Sequence, residues 1–85
     1  MNILFHDGNK YNFYKCECVD NVLTLWFGDG FGIKYIEESI TTDTDKKICL
    51  NTNNNISMTL TYKSMSYVKE DSITTKVQFL LENII

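Results

Sequence analysis

Side chains able to do chemistry are few in this chain, and they are scattered. Cys16 and Cys18 flank Glu17, Cys49 stands alone further along, and His6, next to Asp7, is the single histidine. Tetrahedral zinc takes four thiolate or imidazole ligands, usually at wider spacing than two residues, and these four side chains are all that such a site would have. We therefore expect no metal and no other cofactor, and read the cysteines as small apolar side chains. Their odd number fits reduced thiols better than a disulfide framework.

His6 would have to carry any general-base or nucleophile-activating role alone, and no nucleophile-elbow pattern surrounds a serine or cysteine. It reads as a solvent-facing turn residue, and the chain as non-enzymatic. The glycine-rich stretch Gly28-Asp29-Gly30-Phe31-Gly32 is superficially like a phosphate-binding loop. That fingerprint needs a strand before it, a helix after it and a different glycine spacing. The residues that follow read as a strand, so the glycines are assigned to a hairpin turn. Asp29 alone falls short of the six or more oxygens that calcium takes.

The elements that would position these residues are strands. Eighty-five residues allow a single domain, 1–85, with a thin core. Alanine, the best helix former, is absent, as are arginine and proline, while β-branched and aromatic residues abound. Asp20-Asn21 suits a two-residue hairpin turn pairing Val19 with Val22. Counting outward, Cys18 faces Leu23, Cys16 faces Leu25 and Tyr14 faces Phe27 on a core side, with Glu17/Thr24 and Lys15/Trp26 on the other. A turn at Gly28-Asp29-Gly30 continues that core side with Phe27/Phe31, Leu25/Ile33 and Leu23/Tyr35, and sets Trp26 across from Gly32 and Thr24 across from Lys34. The run from Ile3 to His6 is expected to pair with the run from Tyr11, Ile3 opposite Tyr14 and Leu4 opposite Phe13.

Residues 37–46 read as an exposed connection. Beyond it, residues 51–55 form a loop that sets Leu50 against Ile56 and Ile48 against Met58, turning Cys49 away from the core. Ile56, Met58, Leu60 and Tyr62 alternate strictly with polar residues. Residues 73–84 fit either a helical stripe or a strand. A Glu70-Asp71 turn favours the strand, with Val68/Ile73, Ser66/Thr75, Ser64/Val77, Tyr62/Phe79 and Leu60/Leu81 on the core face. The expected architecture is all-β: a small antiparallel sandwich or barrel of two three-stranded meanders plus an N-terminal strand.

On that register Phe13, Lys15, Trp26, Lys34 and Ile36 gather on one outward face. So apolar a face is either buried by the rest of the fold or a partner-binding surface of an aromatic anchor rimmed by lysine stems. A net charge of −3 at pH 7 and the lack of arginine argue against direct nucleic-acid contact. No apolar run is long enough for a membrane span or signal peptide. The biased composition points to an AT-rich genome and to the cytoplasm of a low-GC bacterium or a phage particle. The leading expectation is a structural or adaptor protein acting by protein–protein contact or self-association, such as a tail- or baseplate-type particle component. The alternative is a small phage-encoded inhibitor of a host enzyme or defence complex. A third class, carbohydrate binding on Trp26 with Tyr11 or Tyr35, lacks the secretion signal that usually goes with it.

Overall fold

The computed structural model describes residues 1–28, 31–52 and 57–82. Within them the chain forms β1 (Asn2–Leu4), β2 (Lys10–Asn12), β3 (Lys15–Val19), β4 (Val22–Phe27), α1 (Ile33–Thr42), β5 (Lys47–Asn51), β6 (Ser57–Lys69) and β7 (Thr75–Leu81). The strands make one seven-stranded sheet in the order β2-β1-β5-β6-β7-β4-β3, every pairing antiparallel. The all-β class holds. The two-meander plan holds only for β5, β6 and β7.

The β3–β4 hairpin forms as its turn chemistry requires. Asp20 and Asn21 take φ values of 52° and 66°, the left-handed pair that a tight hairpin turn needs and that Asp and Asn tolerate. Val19 then pairs with Val22, Cys18 with Leu23, Cys16 with Leu25, Glu17 with Thr24 and Lys15 with Trp26. Tyr14 departs from this ladder: its N–H donates to the Trp26 carbonyl at 3.0 Å, so Tyr14 and Lys15 together oppose Trp26. This bulge turns Tyr14 out to solvent instead of facing Phe27.

The expected third strand of the first meander is a helix. Ile33, Ile36 and Ile40 recur at helical spacing, and a strand would have turned Tyr35 inward and Ile36 outward. The structure does the reverse, with Ile36 at 0 % exposure and Tyr35 at 48 %. Gly32 offers the helix no capping side chain and the first turn holds no acidic residue, so α1 depends on packing its isoleucine face against the sheet. The pairings of Trp26 with Gly32 and Thr24 with Lys34 are absent, because β7 occupies that edge of β4. Phe31 still meets Phe27, their rings stacked at 4.1 Å. The connection read as 37–46 shrinks to the residues after Thr42. There the buried Asp43 carboxylate accepts the N–H groups of Lys46 and Lys47 and the Tyr62 hydroxyl, at 2.9, 3.1 and 2.9 Å.

Residues 75–81 are the strand preferred over the helical stripe, but their register moves by three. Val68 pairs with Lys76 and Met65 with Phe79, in place of Val68 with Ile73 and Tyr62 with Phe79. The cause is the turn. Asp71 accepts the Ile73 N–H at 2.9 Å and Glu70 N–H donates to the Thr74 carbonyl at 3.0 Å, closing a wider loop that leaves Ile73 exposed. An odd shift exchanges faces, and an irregularity between Tyr62 and Ser64 restores Tyr62 to the core opposite Leu81. The N-terminal hairpin also moves by three, to Ile3↔Tyr11 and Leu4↔Lys10, since Gly8, at φ 88°, and Phe5 close a tighter turn than expected. The β5–β6 pairing moves by two, to Leu50↔Met58 and Ile48↔Leu60, which preserves the faces and keeps Cys49 on the side away from the core. The turn at Asp29-Gly30 and the expected partner Ile56 lie outside the described residues.

β6 pairs with β5 along its first half and with β7 along its second, so the sheet bends about this strand. The bend brings its ends together. Phe13 N–H bonds to the Met1 carbonyl on the β1 side, and the next amide, that of Tyr14, bonds to Trp26 of β4. One curled sheet thus replaces the two stacked layers of a sandwich. Inside the curl lie Ile3, Phe5, Phe13, Leu23, Leu25, Phe27, Ile36, Ile48, Leu50, Tyr62, Val77 and Phe79.

Candidate protein-contact surface

On the side of β3, β4 and β7 away from the core, alternation presents Lys15, Glu17 and Val19, then Val22, Thr24 and Trp26, then Lys76, Gln78 and Leu80. The register aligns them into rows. Lys15, Trp26 and Lys76 form one, continued by Val68 of β6; Glu17, Thr24 and Gln78 form the next; Val19, Val22 and Leu80 form the third. Trp26 is half-buried between two lysines, with Lys15 Nζ 4.6 Å from its ring centre. Lys76 turns its ammonium to Glu70 at 3.4 Å. In the middle row the Gln78 amide donates to the Thr24 hydroxyl at 3.3 Å, tying β7 to β4 across the face. Val19, Val68 and Leu80 are exposed around this frame.

Of the five residues expected on an outward face, the structure brings Lys15 and Trp26 together as paired neighbours. Phe13 and Ile36 are buried core residues, at 5 % and 0 % exposure. Phe13 sits at the corner between β2 and β3, where its ring packs on Phe27. Lys34 belongs to α1 and lies 5.3 Å over the Tyr35 ring. The residues that take their places are Lys76, Leu80, Val68 and Val19. The signal for the first two was the alternation of Lys76, Gln78 and Leu80 with Val77 and Phe79, which becomes readable once β7 lies beside β4.

The chain matches no known protein family, no characterised protein and no solved structure. Its chemistry therefore has to be read from its own side chains.

His6 does not face solvent alone. Its Nε2 lies 3.0 Å from the Ser39 carbonyl and 3.1 Å from the Thr42 hydroxyl, at the C-terminal end of α1. Beside it, the buried Ser39 hydroxyl donates to Asp7 Oδ2 at 2.6 Å, and Asp7 also accepts the backbone and side-chain N–H groups of Asn9 at 2.9 and 3.0 Å. The Ser39 hydroxyl holds the Asp7 carboxyl below its ordinary range, reinforced by the Asn9 amide. With its proton committed to Asp7, Ser39 is not paired to the imidazole as an activated nucleophile would be. The group fastens the β1–β2 loop to the helix. Nearby Tyr11 has its hydroxyl pushed upward, first by burial and then by the Asp7 charge.

A helix, not a strand, follows the glycine-rich stretch, so that ground for setting aside a phosphate loop is removed. Two others stand: among the described residues every strand pairing is antiparallel, without a parallel crossover, and the glycine spacing differs from the fingerprint. Cys16, Cys18 and Cys49 are free thiols. Among the described residues no three His, Cys, Asp or Glu side chains gather as metal ligands, and no helix is long and apolar enough to cross a membrane.

Proposed function

We propose that this protein acts by contact, as a non-enzymatic assembly or adaptor component that engages a protein partner on the outer face of β3, β4 and β7. The observation that carries this reading is the position of Trp26, set between Lys15 and Lys76 directly across from it on both neighbouring strands. Tryptophan is among the residues most enriched at interface hot spots, and here the Lys15 ammonium lies over its ring while the Lys76 ammonium is drawn to Glu70. Exposed Val68 continues its row, and exposed Val19 and Leu80 form a second apolar strip beyond the polar row of Glu17, Thr24 and Gln78. The compositional bias supports a setting in a low-GC bacterium or in a phage particle of tail or baseplate type. The absence of arginine and the net charge of −3 support a protein partner over a nucleic acid.

The test is native purification followed by Trp26→Ala. We expect the wild-type protein to travel with a particle or a defined protein, and the variant to lose about 2 kcal/mol or more of that affinity while its unfolding transition moves little. A variant that unfolds, or that binds as the wild type does, removes Trp26 from the interface. Co-purification with a single host enzyme whose activity falls on binding would favour an inhibitor over a structural component.

A further inference from the structure

We propose that the free edge of β3 pairs with the same edge of a second copy of this chain, antiparallel, about a two-fold axis through Cys16. This goes beyond the Trp26 face, because it uses the backbone of the strand and not the tryptophan platform. β3 ends the sheet and is bonded to β4 alone among the described residues. In a two-residue hairpin the closing pair, here Val19 and Val22, exchanges both backbone bonds, and alternation then directs Glu17 and Lys15 to β4. The N–H and C=O groups of Cys16 and Cys18 are left pointing outward, whereas the Tyr14 N–H is already given to Trp26. In a ladder centred on Cys16 the two Cys16 residues therefore exchange the reciprocal pair of bonds, and Cys18 meets a Tyr14 that does not donate.

The side chains select one register. Antiparallel self-pairing centred on Cys16 sets Lys15 across from Glu17 of the second copy, and by symmetry Glu17 across from its Lys15. Centring on Glu17 would set like charges directly opposite. Charged residues on an edge strand ordinarily deter pairing; here they deter foreign or slipped strands and match a second copy in one alignment. Among the described residues no strand but β4 pairs with β3, and Lys15, Glu17, Cys18 and Val19 are exposed, with Cys16 half-buried against the core. The other end of the sheet, β2, has only three residues and offers a shorter ladder. Pairing at β3 joins the outer faces of two copies, so that two Trp26 platforms lie on one continuous surface.

The experiment is sedimentation equilibrium of the full chain at low salt, for the wild type, Lys15→Glu, Glu17→Lys and an equal mixture of the two variants. The wild type is expected to dimerise. Each variant faces like charges in its own dimer and should bind itself about tenfold or more weakly. Mixing restores two opposite-charge pairs and should restore the dimer. A wild type that is monomeric throughout, a dimer indifferent to the substitutions, or natively fluorescent variants that fail to associate on mixing would each overturn the proposal. Trp26→Ala should leave the dimer in place, and its loss there would assign self-association to the Trp26 face instead. As a check free of charge changes, a chain with Cys18→Ser and Cys49→Ser should form a Cys16-linked dimer under diamide, since directly paired strand residues lie within disulfide reach. Its absence, where a chain keeping only Cys18 does crosslink, would place the axis elsewhere and refute this register.

Discussion

At the scale of single residues, two polar contacts hold the loops to the body of the protein and give it opposite responses to pH. Asp7 carries a lowered pKa because Ser39 and Asn9 hydrogen-bond its carboxylate. A depressed acid stabilises the fold above its ordinary range, and that contribution is lost as pH falls through the folded value. Ser39→Ala should therefore cost about 1 kcal/mol near neutrality and flatten the acid limb of a stability profile measured by urea unfolding. Tyr62 behaves in the other sense. Burial first, then the Asp43 carboxylate, push its hydroxyl well above the usual range. Its contribution is complete below about pH 10, where the unfolded tyrosine titrates, and is lost at higher pH. Tyr62→Phe is expected to cost about 2 kcal/mol at pH 7 and to remove much of the alkaline limb, measured the same way.

Elements were legible in the sequence wherever local chemistry determined register. Asp20-Asn21 could hardly form anything but a tight turn, and the β3–β4 pairs follow from it. Strict alternation revealed β6, and a register error of two between β5 and β6 cost nothing, since two residues is the period of a strand. The errors of three at β1–β2 and β6–β7 came from Gly8, whose positive φ and bond to the Phe5 carbonyl tighten one turn, and from Asp71, whose carboxylate accepts the Ile73 N–H and widens the other. The helix was missed because Ile33 and Tyr35 extend the alternation of Leu23, Leu25 and Phe27, while the competing stripe of Ile33, Ile36 and Ile40 is short. Lys34 and Ile36 left the candidate site with it. Ile36→Ala discriminates the two readings: as the fully buried centre of the helix face it should cost about 3 kcal/mol in chemical unfolding, whereas an outward strand position would cost far less.

For the whole molecule, the two halves of the sheet share β6, and two of the six strand pairings join strands distant in sequence. β1 finds its second partner in β5, and β4 finds its own in β7. Such long-range pairing was beyond local reading, which is why Lys76 and Leu80 did not enter the expected surface. It also explains how Trp26 comes to have a lysine on each side: one from its own hairpin and one from the far end of the chain.

The central place of β7 bears on how the protein is made. Synthesis delivers β4 long before the strand that covers its second edge, and that edge belongs to Leu23-Thr24-Leu25-Trp26-Phe27, the most apolar strand in the sheet. Until residues 75–81 clear the ribosome, this segment is an uncapped template for any other extended chain. A message broken, or a ribosome stalled, before that point releases a product whose most apolar strand is paired with β3 on one edge and bare on the other, so the burden on chaperones and proteases is set by how soon β7 emerges.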